Sequence, residues 1–184
     1  MDAEDRHLVE AFRRGEESAF AALVIKYRES VYRVARRMLG NHEDAADAAQ
    51  EVFIRAHRAL ARFDGRSQVY TWLYRITVNL CCDVRGRLSR MPLTDDEEVL
   101  RDRRAGPAIE DEAEGRETGR IVARAVATLP PRQKAMVVLR LYQDLPYAEI
   151  ARIMGCSEGT VKATMFAALR RLRRVLVEEG VRAP

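Results

Sequence analysis

Apolar residues recur along this chain at intervals of three and four and nowhere in sustained alternation, a pattern that predicts helices and no strand. Leu8, Val9 and Phe12 mark a short helix over 4–14, stopped by Gly15. Ser18 has the character of an N-cap for the next helix, over 19–39. There Phe20, Leu23, Val24, Tyr27, Val31, Val34 and Met38 keep the rhythm of one long amphipathic element, which Gly40-Asn41 closes. Asn41 and Asp44 form a capping pair for a third helix, over 45–60, with Ala49, Val52, Phe53, Ala56 and Leu60 directed inward. It begins acidic at Glu43, Asp44 and Asp47 and ends basic at Arg55, His57 and Arg58, an order that complements the helix dipole.

Asp64-Gly65 signals a turn, and the loop over 63–69 leads into a helix from Tyr70 to about Arg87. Tyr70 and Tyr74 share one face of it, and Arg75, Asn79 and Asp83 repeat at four. Flat and polar groups interleaved this way suit unstacked bases, whereas Trp72, Leu73, Ile76 and Leu80 fit a core equally well. Over 89–115 the periodicity fails, Pro92, Gly106 and Pro107 appear and acids dominate, which predicts a flexible linker. It divides the chain into domains over 1–88 and 116–184. In the second, Ile121, Val122, Ala125 and Val126 mark a helix over 116–128, broken by Leu129-Pro130-Pro131. Pro131 opens another over 132–142, with Met136, Val137, Val138, Leu139 and Leu141 as its apolar set.

The stretch 145–174 carries the most specific local pattern. Ile150, Ile153 and Met154 repeat at helical spacing, Gly155 stops that helix, and Ser157 can cap a second by accepting an unpaired backbone N–H. The pattern is a helix-turn-helix. Val161, Met165, Leu169 and Leu172 are expected inward, with Thr160, Lys162, Ala163, Thr164 and Phe166 outward. Such a helix can lie in a DNA major groove, although two helices so joined also occur as a packing unit.

Charge sharpens this picture. The 184 residues include 47% hydrophobic ones, enough for a core, and the net charge of +4 matters less than its distribution. Bases gather at Arg36-Arg37, over 85–90 and over 170–174, and acids between Asp95 and Glu117, a segregation that suits a polyanionic partner. No apolar run approaches the roughly 20 residues that span a bilayer, and the acidic start is not a signal peptide, so a cytoplasmic location without direct membrane insertion is expected. Cys81, Cys82 and Cys156 are expected as reduced thiols, and His7, His42 and His57 lack metal-ligand spacing. There is no Gly-rich phosphate loop or nucleophile elbow, and the densest carboxylates sit in the linker, where nothing fixes a catalytic geometry. No enzyme and no cofactor is expected. A DNA-binding subunit of a larger machine and a stand-alone helix-turn-helix regulator remain.

Four segments, taken together and in order, carry a resemblance: SAFAALVIKYRESVYRVARRML, EDAADAAQEVFIRAHRALARF, YTWLYRITVN and LPPRQKAMVVLRLYQDLPYAEIARIMGCSEGTVK. They resemble the extracytoplasmic-function group of bacterial RNA polymerase sigma factors over nearly the whole chain. The resemblance implies an all-α fold of two small helical domains, region 2 and region 4, on a flexible connector. It implies that Asp47, Gln50, Glu51 and Phe53 contact core RNA polymerase. It also implies that Arg66, Ser67, Gln68, Tyr70, Trp72, Arg75, Asn79 and Asp83 capture and separate bases of the minus-10 promoter element.

In the second domain it places Arg140 near phosphate and Thr160, Lys162, Ala163, Thr164 and Phe166 at the minus-35 groove, with Arg170 and Arg171 on phosphates. Two departures stand out. Primary sigma factors carry two adjacent tryptophans where this chain has Trp72-Leu73, which implies stricter dependence on a well-matched promoter and a looser choice in Leu73→Trp. Many relatives carry arginines at the positions of Thr164 and Ala167, so readout here shifts from guanine toward thymine methyls or weakens. The resemblance finally implies an anti-sigma partner, often membrane-anchored, clamped over both domains.

Overall fold

The computed structural model describes residues 1–88 and 116–178. Among these there are eight helices and no strand: α1 (Ala3–Arg13), α2 (Glu17–Leu39), α3 (His42–Leu60), α4 (Val69–Leu88), α5 (Arg116–Ala127), α6 (Pro131–Leu141), α7 (Tyr147–Met154) and α8 (Glu158–Glu178). The predicted linker over 89–115 lies outside the described residues.

Chain chemistry sets most helix ends. Gly40 takes φ 94° after α2, and its N–H returns to the Arg36 carbonyl. A side chain at that φ would be strained, so glycine ends the helix where the pattern breaks. Asn41 then caps α3: its Oδ1 accepts from the Asp44 N–H at 2.7 Å, and its Nδ2 donates to Asp44 Oδ2 at 2.6 Å. Pro131 stands in the first turn of α6, where its missing N–H costs no helical bond. Ser18 is not the cap of α2; the helix begins at Glu17 after Glu16, without a side-chain cap bond. The three residues from Gly15 leave no room for a separate capping residue at 18.

In the first group of helices, Leu23, Val31, Val34, Met38, Val52, Ala56, Leu60, Leu73 and Val78 are buried between α2, α3 and α4. The second group closes around Val137, Leu139, Ile150, Ile153, Val161, Met165 and Ala168. Leu169, expected inside, is 45% exposed, and Ala168 takes the inward position at 0%. The buried set on α8 thus runs Val161, Met165, Ala168, Leu172, spaced four, three and four, closer to the 3.6-residue turn than the expected series.

The two groups also pack on each other, and their buried apolar residues form one continuous cluster. α4 lies against α6 and α7. Across this seam Thr71 Oγ1 donates to Glu149 Oε2 at 2.9 Å, Tyr74 OH donates to Gln143 Oε1 at 2.8 Å, and Arg75 donates to the Arg152 carbonyl. Arg85 is the central pin: it donates to the Met38 carbonyl at 3.0 Å and the Ala127 carbonyl at 3.2 Å, at the C-terminal ends of α2 and α5. A cation is favoured there by both helix dipoles. Arg37 stacks on the Tyr142 ring with its carbon 4.1 Å from the centroid.

Candidate nucleic-acid interface

Three surfaces hold the predicted contact residues. The helix-turn-helix is α7–turn–α8. Gly155 takes φ 63°, and the N–H of Thr160 donates to Ser157 Oγ at 3.1 Å, so both predicted turn devices are present. The outward face of α8 exposes Thr160, Lys162, Ala163 and Phe166, while Thr164 is half-buried. Lys162 pairs with Glu158 at 2.9 Å one turn earlier, with both side chains on the solvent-exposed surface and the pair therefore weak.

Phe166 is 66% exposed, beside the exposed Leu169 and with the Arg170 guanidinium 5.9 Å from its ring. An apolar and cationic ridge of this kind can meet thymine methyls and phosphates together. Leu169 therefore joins the face that the sequence pattern had denied it. Ala167, Arg170, Arg171 and Arg174 line a shallow groove further along the helix. Arg140 is half-buried at the foot of α6, bonded to Asp144 at 3.0 Å and to the Leu145 carbonyl at 3.2 Å. Its first task in this arrangement is to hold the turn into α7.

The second surface is the loop before α4. Gly65 takes φ 73°, and Asp64 Oδ1 accepts from the Arg66 N–H at 3.0 Å, a side-chain turn that presents Arg66 to solvent. Gln68 is half-buried and accepts from the Asp2 N–H at 3.0 Å. Trp72 is half-buried against the buried Phe63, with ring centroids 5.0 Å apart, so the indole is anchored in the core while part of it stays accessible. Asn79 and Asp83 are exposed.

Two expectations about this helix change. Tyr74 does not share an open aromatic face with Tyr70: it is 6% exposed and packs edge-on to Tyr70 at 6.0 Å, because its hydroxyl crosses the seam to Gln143. Leu73 is 2% exposed, so a tryptophan there would enter the core rather than add a surface wedge.

The third surface is α3. Asp47 and Gln50 are exposed, and Glu51 and Phe53 are half-buried. Glu51 is engaged by Arg55 at 2.7 Å. Ile54, 39% exposed, lies one turn beyond Gln50 and Glu51 and adds to this surface an apolar side chain that sequence reasoning left unassigned.

Comparison with known proteins decides what these surfaces belong to. The family model described as Sigma-70 region 2 matches residues 23–91, and that described as Sigma-70, region 4, matches residues 119–172. The chain is 35% identical over 183 residues to the RNA polymerase sigma-H factor of Pseudomonas aeruginosa, covering 94% of each protein. It is also 35% identical over 172 residues to the ECF RNA polymerase sigma-E factor of Escherichia coli, covering 89% of this chain and 90% of the relative.

The chain belongs to the extracytoplasmic-function group of RNA polymerase sigma factors.

It is thus a factor that directs promoter-specific initiation of transcription. Its fold is shared with CnrH, solved in complex with the cytosolic domain of CnrY, at a TM-score of 0.70 and 22% identity over 95% of this chain and 98% of that one. It is shared too with RpoE of Bartonella quintana, solved in complex with the anti-sigma factor NepR, at a TM-score of 0.63 and 20% identity over 85% of this chain and 96% of that one. Among the described residues of this sigma factor, no helix is long and apolar enough to cross a membrane.

The closed packing of the sigma factor has a direct bearing on its second surface. Arg75 is committed to the Arg152 carbonyl, and Thr71 to Glu149. Tyr70 lies close to Glu149, and burial with that negative charge raises its phenol above the ordinary range. Arg66, Asn79 and Asp83 stay open while Arg75 and part of Tyr70 are occupied by region 4 residues.

Proposed function

We propose that the sigma factor contacts core polymerase through α3, opens the minus-10 element with the 64–68 loop and α4, and reads the minus-35 element with α8. The observation that carries this reading is the family membership taken with the side-chain geometry. Asp47, Gln50, Glu51 and Phe53, together with Ile54, form the core-facing surface, an acidic rim around a partly exposed apolar strip. Arg66, Ser67, Gln68, Tyr70, Trp72, Arg75, Asn79 and Asp83 serve the minus-10 element. Unstacking a base costs a few kcal/mol, and stacking against Trp72 with hydrogen bonds from the loop offsets it. Thr160, Lys162, Ala163, Thr164 and Phe166 meet the minus-35 bases, joined by Leu169, while Arg140, Arg170 and Arg171 hold phosphates.

The domains divide at 1–88 and 116–184, and region 4 swings away from α4 when the two promoter elements are engaged. An anti-sigma factor holds the protein inactive, a reading supported by the partners of its structural relatives: CnrH was solved with the cytosolic domain of CnrY, and RpoE with the anti-sigma factor NepR. The seam described above is the state such an inhibitor would keep. The factor works in the cytoplasm and catalyses no reaction of its own.

The test is an Asp47→Ala, Gln50→Ala double variant and a separate Trp72→Ala variant assayed with core polymerase. The first should lose polymerase binding with its fold retained. The second should bind polymerase normally but fail to open the promoter, read by permanganate reactivity of unpaired thymines. Retention of binding by the first, or normal opening by the second, would reject that assignment.

A further inference from the structure

We infer that the segment preceding and opening α1 sets the base preference of the 64–68 loop, with Asp2 as the positioning residue. This rests on the reading of that loop as a minus-10 contact and adds to it a direction of hydrogen bonding. α1 lies outside the residues that match Sigma-70 region 2, which begin at 23, yet it is built into the loop.

The Asp2 N–H donates to Gln68 Oε1 at 3.0 Å. A backbone N–H can meet only the oxygen of a carboxamide, so this bond fixes which way the Gln68 amide faces. Residue 2 is itself held. Its carboxylate lies 3.1 Å from Lys26 Nζ, and the same ammonium reaches Glu4 at 2.6 Å and Asp5 at 2.8 Å. Asp5 is 1% exposed and accepts from Tyr27 OH at 2.6 Å, which roots the cluster in α2. Arg13 of the same helix donates to the Phe63 carbonyl at the other end of the loop. Met1 closes over the turn, its methyl 3.7 Å from where a Cβ on Gly65 would stand.

With its oxygen turned to the Asp2 N–H, Gln68 meets DNA chiefly through the two N–H donors of its amide. A donor held at the exocyclic position is accepted by the keto oxygen of guanine or thymine but meets an amine in adenine and cytosine, whose acceptors lie elsewhere on the ring. Gln68 therefore selects keto over amino bases at one minus-10 position. The expected preference is about fivefold, the effect of one net hydrogen bond.

The experiment starts from a promoter selected out of a randomised DNA pool by polymerase carrying the full chain, then places all four bases at each minus-10 position. Initiation rates are read for each member. Asp2→Pro removes the N–H while keeping a φ that residue 2 already has, at −53°, and should flatten the preference. Lys26→Met frees residue 2 without touching its N–H and should flatten it in part. Gln68→Glu, which only accepts, should turn it toward amino bases. An unchanged preference in both Asp2→Pro and Lys26→Met, or a loss of rate uniform over the whole set, overturns the proposal. A wild-type protein indifferent to every minus-10 base would instead overturn the underlying reading of the loop.

Discussion

Lys134 is a buried cation without a carboxylate partner among the described residues, and replacing it should strengthen the fold in a pH-dependent way. It sits on α6 at 2% exposure, facing Cys81 and Arg85 of α4, and no carboxylate among the described residues pairs with it. Burial, reinforced by the Arg85 cation, depresses its ammonium from 10.5 to about 7. Cys81 brings no compensating charge, because burial pushes its thiol up to about 12.

The unfolded chain therefore binds a proton at residue 134 that the folded chain releases between these two values. Stability rises with pH across the window from about 7 to 10.5 and is depressed below it. At 1.36 kcal/mol per pH unit, the lysine costs about 4 kcal/mol at pH 7.5 and about 2 kcal/mol at pH 9. Lys134→Met keeps the length and removes the titration. Urea unfolding at the two pH values should show the variant more stable than the parent, with a gap that shrinks by about 2 kcal/mol at the higher pH. Other groups titrate in both proteins and cancel in the difference. Parallel pH slopes for the two proteins would refute the reasoning, whatever their absolute stabilities.

Leu73→Trp should destabilise the protein by about 1–3 kcal/mol through overpacking, read as a lower urea midpoint, rather than simply loosening promoter choice. Asn41→Ala, which removes the cap of α3, should cost about 1 kcal/mol in the same measurement. Arg171→Ala should weaken promoter binding by the holoenzyme similarly across minus-35 sequences and lower the salt dependence of binding by about one unit, as loss of a single phosphate contact requires.

Helix existence was legible because long apolar series, glycines at 40 and 155 and the cap at Asn41 all point the same way. What escaped was the seam, and for a chemical reason. In sequence Tyr74 belongs to an open aromatic face and Arg85 to a basic cluster, and Thr71 and Lys134 carry no expectation, yet each of the four is wholly or partly buried by helices distant in the chain. Leu169 and Ala168 were exchanged because the larger apolar side chain looked like the core residue, while α8 at that level turns its alanine inward. Of the candidate contact residues on α3 and the outer face of α8, Asp47, Gln50, Thr160, Lys162, Ala163 and Phe166 are exposed and Thr164, Glu51 and Phe53 half-buried. Those on α4 were harder to place, since one aromatic stripe serves the loop at Trp72 and the seam at Tyr74.

The central claim is tested by adding the purified full chain to core polymerase on genomic DNA from its host and mapping transcript starts. The account predicts a change from scattered initiation to a small set of start sites that share upstream elements centred near minus-10 and minus-35. Scattered initiation that persists at saturating protein, together with tight site-specific DNA binding by the chain alone, would contradict it.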